Sequence, residues 1–161
     1  MRHYSEKIFQ SFEDFFECLK NWKTSNQKLV FTNGCFDILH RGHIDYLDRT
    51  AALGDKLIVG LNTDLSVKNL KGEKRPFIDE ESRAILLASL EMVDAVILFD
   101  EETPYNLIEK IQPNVLTKGK DYEIEEVAGF DVVLKSGGQV ETIELTAGFS
   151  TTSLIEKIKN S

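Results

Sequence analysis

Cysteine is nearly absent from this 161-residue chain, which has only Cys18 and Cys35. Neither has a CxxC neighbour or a histidine at metal-ligand spacing, so the expectation is free thiols in a reducing compartment. Pairing stays open, because sequence spacing carries no distance. No apolar run reaches the ~18 residues of a membrane span, and the N-terminus lacks a basic region followed by an apolar stretch. These absences predict a cytoplasmic chain with no membrane partner. Positive charge is also scarce: 19 Lys and Arg stand against 27 Asp and Glu, a net charge of −8. That argues against a nonspecific nucleic-acid binder, which needs a basic field, but leaves room for a local cationic patch. Several catalytic signatures are missing too. There is no GxxxxGK[ST] loop, no GxGxxG after the first predicted strand, no GxSxG elbow and no metal-cage spacing.

What remains is an ordinary globular composition, 42% hydrophobic and 29% charged, long enough for one domain with a core. In "SFEDFFECLKNWK" the residues Phe12, Phe15, Phe16, Leu19 and Trp22 recur at helical spacing, with Ser11 as cap. Such a stripe reads as packing. After the loop "TSNQ", the apolar runs "KLVFTN", "KLIVGLN", "DAVILFD", "NVLTKG" and "QVETIEL" alternate with helical patterns near 42–53, 79–91, 104–111 and 124–136. "STTSLIEKIKN" closes the chain as a helix. This order predicts an α/β, Rossmann-like, doubly wound fold with a five-stranded, mainly parallel sheet. An N-terminal helical extension over 1–27 and a main domain over 28–161 are expected. The interval 63–78 has no clean period and carries Lys68, Lys71, Lys74 and Arg75, so it reads as a functional loop.

Ligands of open parallel sheets bind beyond the carboxyl ends of the strands. The unusual residues cluster at those ends. "HRGH" puts His40 and His43 on either side of Gly42, at the start of a helix whose unpaired N–H groups favour an anion. Gly34 allows the turn before them, and Gly42 leaves space for a close ligand. Neutral imidazole donates a hydrogen bond and protonated imidazole adds charge, which suits a triphosphate. Lys71 and Lys68 would neutralise a transferring phosphoryl group, while Lys74 is equally a surface residue. Arg75 and Arg83 are candidates for gripping a phosphate of the second substrate, with an ion-pair role as the alternative for Arg83. Ser150, Thr151 and Thr152 follow "GF" at the start of the last helix. They form a second anion cradle, with at least one serving as an ordinary cap. "TKGKDY" adds Gly119, where backbone can approach a ligand, and Lys118 and Asp121, which could meet base or sugar.

Together "GCFDILHRGH", "KGEKRP" and "GFSTTSLIEKI" resemble the HxGH nucleotidyltransferase superfamily, the cytidylyltransferase-like group. Over 28–161 the closer resemblance is to heptose 1-phosphate adenylyltransferase domains. The resemblance implies ATP, Mg²⁺ and a sugar 1-phosphate as reactants, with an ADP-sugar for lipopolysaccharide core and pyrophosphate as products. It assigns His40 and His43 to the ATP phosphates, Lys71 with Lys68 to the lid over them, and Ser150, Thr151 and Thr152 to the leaving pyrophosphate. Thr32, Asn33 and Phe36 would line the nucleotide cleft. Asp37 takes an orienting role, with a buried structural carboxylate as the alternative. No protein metal ligands are expected, since Mg²⁺ would ride on substrate phosphates. The resemblance also implies a homo-oligomer and, given the chain's length, a separate sugar kinase. Two positions depart from the family pattern: Lys120 stands where a second glycine is common, and Phe149 where cysteine is common. Competing expectations are a glycerol 3-phosphate cytidylyltransferase and a noncatalytic nucleotide sensor.

Overall fold

The computed structural model describes residues 3–161. Strands β1 (Ile8–Phe9), β2 (Leu29–Gly34), β3 (Lys56–Asn62), β4 (Ala95–Phe99), β5 (Val115–Gly119) and β6 (Gln139–Ile143) form one sheet in the order β1-β4-β3-β2-β5-β6. Every pairing is parallel. Helices α1 (Phe12–Thr24), α5 (Tyr105–Ile111) and α6 (Phe130–Lys135) supply the core on one face. Helices α2 (Arg41–Ala51) and α4 (Glu80–Ala88) do so on the other. Side chains alternate between the two: Leu29, Phe31 and Ile58 join the first core, Val30, Leu57 and Val59 the second. Burial on both faces is why these strands read as unbroken apolar runs.

The chain runs outward from β2 to β3 to β4, then returns to place β5 on the other side of β2. The crevice between the ends of β2 and β5 is therefore the switch point, where an open α/β sheet binds ligands.

All five expected strands are present, and a sixth joins them. β1 pairs Ile8 with Val96 and Phe9 with Ile97, so the sheet has six strands. Two residues are too few to display alternation. Through β1 and the buried Phe15, Leu19 and Trp22 of α1, residues 8–22 contribute to the same sheet and core as the strands and helices that follow. Ser11 caps α1 by accepting from the Asp14 N–H.

The interval 63–78 is not all loop: it opens with α3 (Asp64–Lys71), capped by Thr63 and ended at Gly72 with φ of +99°. Two turns with only Ser66 and Val67 buried give no readable period. The helix expected over 124–136 is split. A 3₁₀ turn covers Ile124–Glu126, and α6 starts after Gly129, whose φ is +84°. A Cβ at 129 would also sit 2.7 Å from Ile108 Cγ2.

Candidate active site

The loop after β2 is the least relaxed backbone near the switch point. Phe36 and Ile38 both have positive φ, 47° and 54°. For non-glycine residues that costs on the order of 1 kcal/mol or more each, so neighbours must hold the loop. The residue between them does much of this. Asp37 is 2% exposed, and its carboxylate accepts from the Phe77 N–H (2.9 Å), the Ile78 N–H (3.0 Å) and Arg75 Nε (2.8 Å). Burial pushes its pKa up, but these donors outweigh that and hold it below the ordinary carboxylate value. Its carbonyl accepts from Thr151 Oγ1 at 3.0 Å. The strained loop, the segment after α3 and the start of α7 (Thr151–Lys159) are thus joined through one residue.

Arg83 grips the same loop from beneath. It is 1% exposed and donates to the carbonyls of Cys35 (2.7 Å), Asn62 (2.8 Å) and Ile78 (2.9 Å), and to the Asp64 carboxylate (2.8 Å). This corrects its assignment to a substrate phosphate: the guanidinium is sealed inside and committed to fastening the ends of β2 and β3. Arg75, the other arginine of that pair, is held in the ion pair with Asp37.

His40 and His43 form a capping box at the start of α2. His40 Nδ1 accepts from the Gly42 N–H at 3.1 Å, and His43 Nδ1 accepts from the His40 N–H at 3.3 Å. With both Nδ1 atoms accepting, each neutral ring carries its proton on Nε2, ready to donate. The rings stack with centroids 3.9 Å apart. Burial lowers the pKa of both, that of His43 to about 4, with His40 beside it lowering it further and Asp37 opposing. At neutral pH the pair therefore consists of two uncharged donors. Gly42 is needed by the protein itself: a Cβ there would sit 2.9 Å from the His40 ring and 3.0 Å from Phe149 Cβ.

A cavity of about 410 Å³ lies on the α2 side of the switch point. It brings together Asn33, Phe36, His40, Gly42, His43, Lys71, Lys118, Gly119, Asp121, Ser150, Thr151 and Thr152. Sequence positions more than a hundred residues apart thus line one space. Ser150 caps α7 by accepting from the Ser153 N–H, leaving Thr152 as a hydroxyl with no side-chain partner among the described residues. Tyr46, Leu145 and Thr146 also line it and were not foreseen. Tyr46 could have been found, since it lies one helical turn after His43 and shares its face.

A second cavity, about 500 Å³, opens on the α5 side. Asn33, Lys71 and Lys118 line both cavities and form the seam between them. Lys118 Nζ is steered by the Asn33 carbonyl (3.2 Å) and Oδ1 (3.4 Å), and lies 5.2 Å from the Tyr122 ring centroid. Burial lowers its pKa, partly offset by Cys35 and Asp121.

Other expected residues stand apart. Thr32 is fully buried, and its hydroxyl pairs with Tyr46 Oη at 2.8 Å, so it props the first cavity from behind instead of lining it. Gly34 lines the second cavity, not the first. Lys68 and Lys74 are exposed and line neither. Among the described residues no group of three or more His, Cys, Asp or Glu could hold a metal ion. No described helix is long and apolar enough to cross a membrane.

Comparison with known proteins identifies the family. A family model described as cytidylyltransferase-like matches residues 31–157. The bifunctional protein HldE of Nitrobacter hamburgensis is 53% identical over 94% of this chain and 31% of its own length. That of Citrifermentans bemidjiense is 56% identical over 84% of this chain and 28% of its own. The chain thus spans about a third of the length of these curated relatives. The crystal structure of a lipopolysaccharide core biosynthesis protein from Thermoplasma volcanium superposes with a TM-score of 0.61 at 33% identity. It covers 74% of this chain and 97% of that one. Pantoate–β-alanine ligase from Francisella tularensis, at 17% identity and a TM-score of 0.62 over 94% of this chain and 76% of its own, shares the fold. With its parallel sheet, its histidine pair at the switch point and the family match across most of its length, this chain belongs to the cytidylyltransferase-like family of nucleotidyltransferases.

Proposed function

We propose that this chain transfers AMP from ATP to D-glycero-β-D-manno-heptose 1-phosphate, forming ADP-heptose and pyrophosphate. The observation that carries the reading is the first cavity, where His40, His43, two lysines and the start of α7 line one space. These are the groups needed to hold a polyphosphate without a covalent intermediate. The choice of ATP and heptose comes from the motif resemblance and from the HldE relatives.

A sugar phosphate is already an anionic nucleophile, so the reaction needs no general base. One of its oxygens attacks the α-phosphorus of ATP in line, the bond to the bridging oxygen breaks, and pyrophosphate leaves. The protein's task is to bring two polyanions together and stabilise the charge on the five-coordinate phosphorus. His40 and His43 donate from Nε2 to phosphate oxygens. Lys71 and Lys118, on the seam, contact both substrates. Thr152 and the first N–H groups of α7 hold the departing end. Mg²⁺ would enter with the nucleotide and supply charge neutralisation on its phosphates; Asp37 is committed to Arg75 and two N–H groups, which leaves Asp121 as the carboxylate that lines the first cavity and could meet it. The second cavity is the place for the sugar.

The test is pyrophosphate release from the purified protein given ATP or CTP with heptose 1-phosphate or glycerol 3-phosphate. Release is expected with ATP and heptose 1-phosphate. Preference for CTP with glycerol 3-phosphate would replace this reading with the cytidylyltransferase alternative.

A further inference from the structure

The two strands that flank the switch point carry the same pattern there. β2 reads Val30-Phe31-Thr32, and β5 reads Val115-Leu116-Thr117. The valines pair with each other, Phe31 pairs with Leu116, and there the register of β2 with β5 ends. On their outer sides both strands run on: β2 pairs with β3 as far as Gly34, and β5 with β6 as far as Gly119. The crevice is thus a split, opened by the last three residues of each strand. Val30 and Val115 belong to the core beneath α2, so Thr32 and Thr117, two residues on, share that face.

Tyr46 reaches into the split from α2. Its Oη lies 2.8 Å from Thr32 Oγ1 and 3.3 Å from Thr117 Oγ1. Each threonine hydroxyl also donates to a carbonyl of the opposite strand, Thr32 to Thr117 at 3.4 Å and Thr117 to Phe31 at 3.5 Å. Both threonines are fully buried and Tyr46 is nearly so. Buried hydroxyls need partners, and these find them across the split. One residue further out, Lys118 Nζ donates to the Asn33 carbonyl at 3.2 Å, again from β5 to β2. Side-chain bonds have taken over from the ladder. Because Thr32 precedes Asn33 and Thr117 precedes Lys118, the spacing held by the phenol is passed directly to the pair at the seam.

Resting on the adenylyltransferase reading, we propose that Tyr46 is a positioning residue for the transfer: its hydroxyl, with those of Thr32 and Thr117, sets the width of the split and so places Lys118 Nζ between the two substrates. The ring lines the first cavity, but the hydroxyl is bonded to the strands and touches no reacting atom. Lys118 meets charge that grows in the transition state, whereas the histidines and the start of α7 hold the phosphates of ATP. A misplaced Lys118 therefore lowers kcat and leaves KM for ATP nearly unchanged. A slackened split also lets water reach Lys118, whose pKa burial holds down, and the pKa rises toward its ordinary value.

The experiment uses Tyr46→Phe, which removes one oxygen, and Thr117→Val, which keeps the shape and removes the other end of the link. Each is made alone and together with Lys118→Met. Two quantities are read: kcat and KM for pyrophosphate release from ATP and heptose 1-phosphate, and the titration of Lys118 by ¹³C NMR of lysine-labelled protein, its signal identified by loss in Lys118→Met. Tyr46→Phe should lower kcat about three- to twentyfold, the range of coupling within one hydrogen-bond network, and change KM for ATP less than about twofold. Added to Lys118→Met it should cost nothing further. Lys118 should titrate at least about 0.5 pH unit higher in Tyr46→Phe than in the wild type. Thr117→Val should move both readings in the same direction, and it decides the matter if Tyr46→Phe does not fold. A wild-type kcat in the variants, or the same loss with and without Lys118, would overturn the proposal. An unmoved Lys118 midpoint overturns it even if the wild type releases no pyrophosphate, a result that by itself would end only the adenylyl-transfer reading.

Discussion

At His43 the imidazole has two nitrogens in different roles, and only the acceptor role is limited by acid. Its Nδ1 accepts from the His40 N–H, and its Nε2 is left to donate. Protonation would put a proton on Nδ1 and break the box. On the proposed mechanism, truncation to alanine removes one donor to a phosphate oxygen, and about 2–4 kcal/mol of transition-state stabilisation should go with it. The check is kcat/KM for pyrophosphate release; a near-wild-type value would remove His43 from the chemistry. Stability carries a separate signature. In the folded chain the pKa of His43 is lowered from 6.5 to about 4 by burial, so the folded state refuses a proton that the unfolded state accepts. Its contribution is complete above pH 6.5 and is lost as pH falls toward 4. The melting temperature of the wild type should therefore drop more steeply across that window than that of His43→Gln. Identical slopes in the two proteins would contradict the depressed value.

Among the elements, the short ones carry the assembly of the site. α3 ends with Lys71 at the seam, and the segment that follows is fixed by Asp37. Asp37→Asn keeps the size but replaces an acceptor oxygen by a donor facing two N–H groups and a guanidinium. A loss of about 1–3 kcal/mol is expected by urea unfolding, together with a fall in kcat as Lys71 loses its anchorage. Unchanged stability would mean that Asp37 does not hold the loop. The same elements mark the limits of reading the sequence. Strands β2, β3 and β4 were legible because burial on both faces leaves continuous apolar runs, while β5 and β6 showed only shorter ones. β1 and α3 were not, since two residues and two turns fall below any period. The HxGH motif was legible as chemistry, but the tautomers were not, because they depend on which backbone N–H each ring meets. Arg83 looked like a phosphate ligand because nothing local marks it as buried. Its partners at 35, 62, 64 and 78 converge on it only after β2, β3 and α4 pack.

For the whole molecule, two cavities flank the crevice between β2 and β5 and share Asn33, Lys71 and Lys118. A chain with a net charge of −8 thus keeps cations at the point where two anions would meet. Everything depends on the first cavity receiving the polyphosphate of the nucleotide. A long-range ¹H–¹⁵N spectrum of the imidazoles, recorded while Mg²⁺–α,β-methylene ATP is titrated in, measures this directly. The Nε2 resonances of His40 and His43 should move together and saturate with the binding curve, with both Nδ1 atoms still unprotonated. Saturable binding of the nucleotide that leaves both imidazoles unmoved would place it elsewhere and contradict the account.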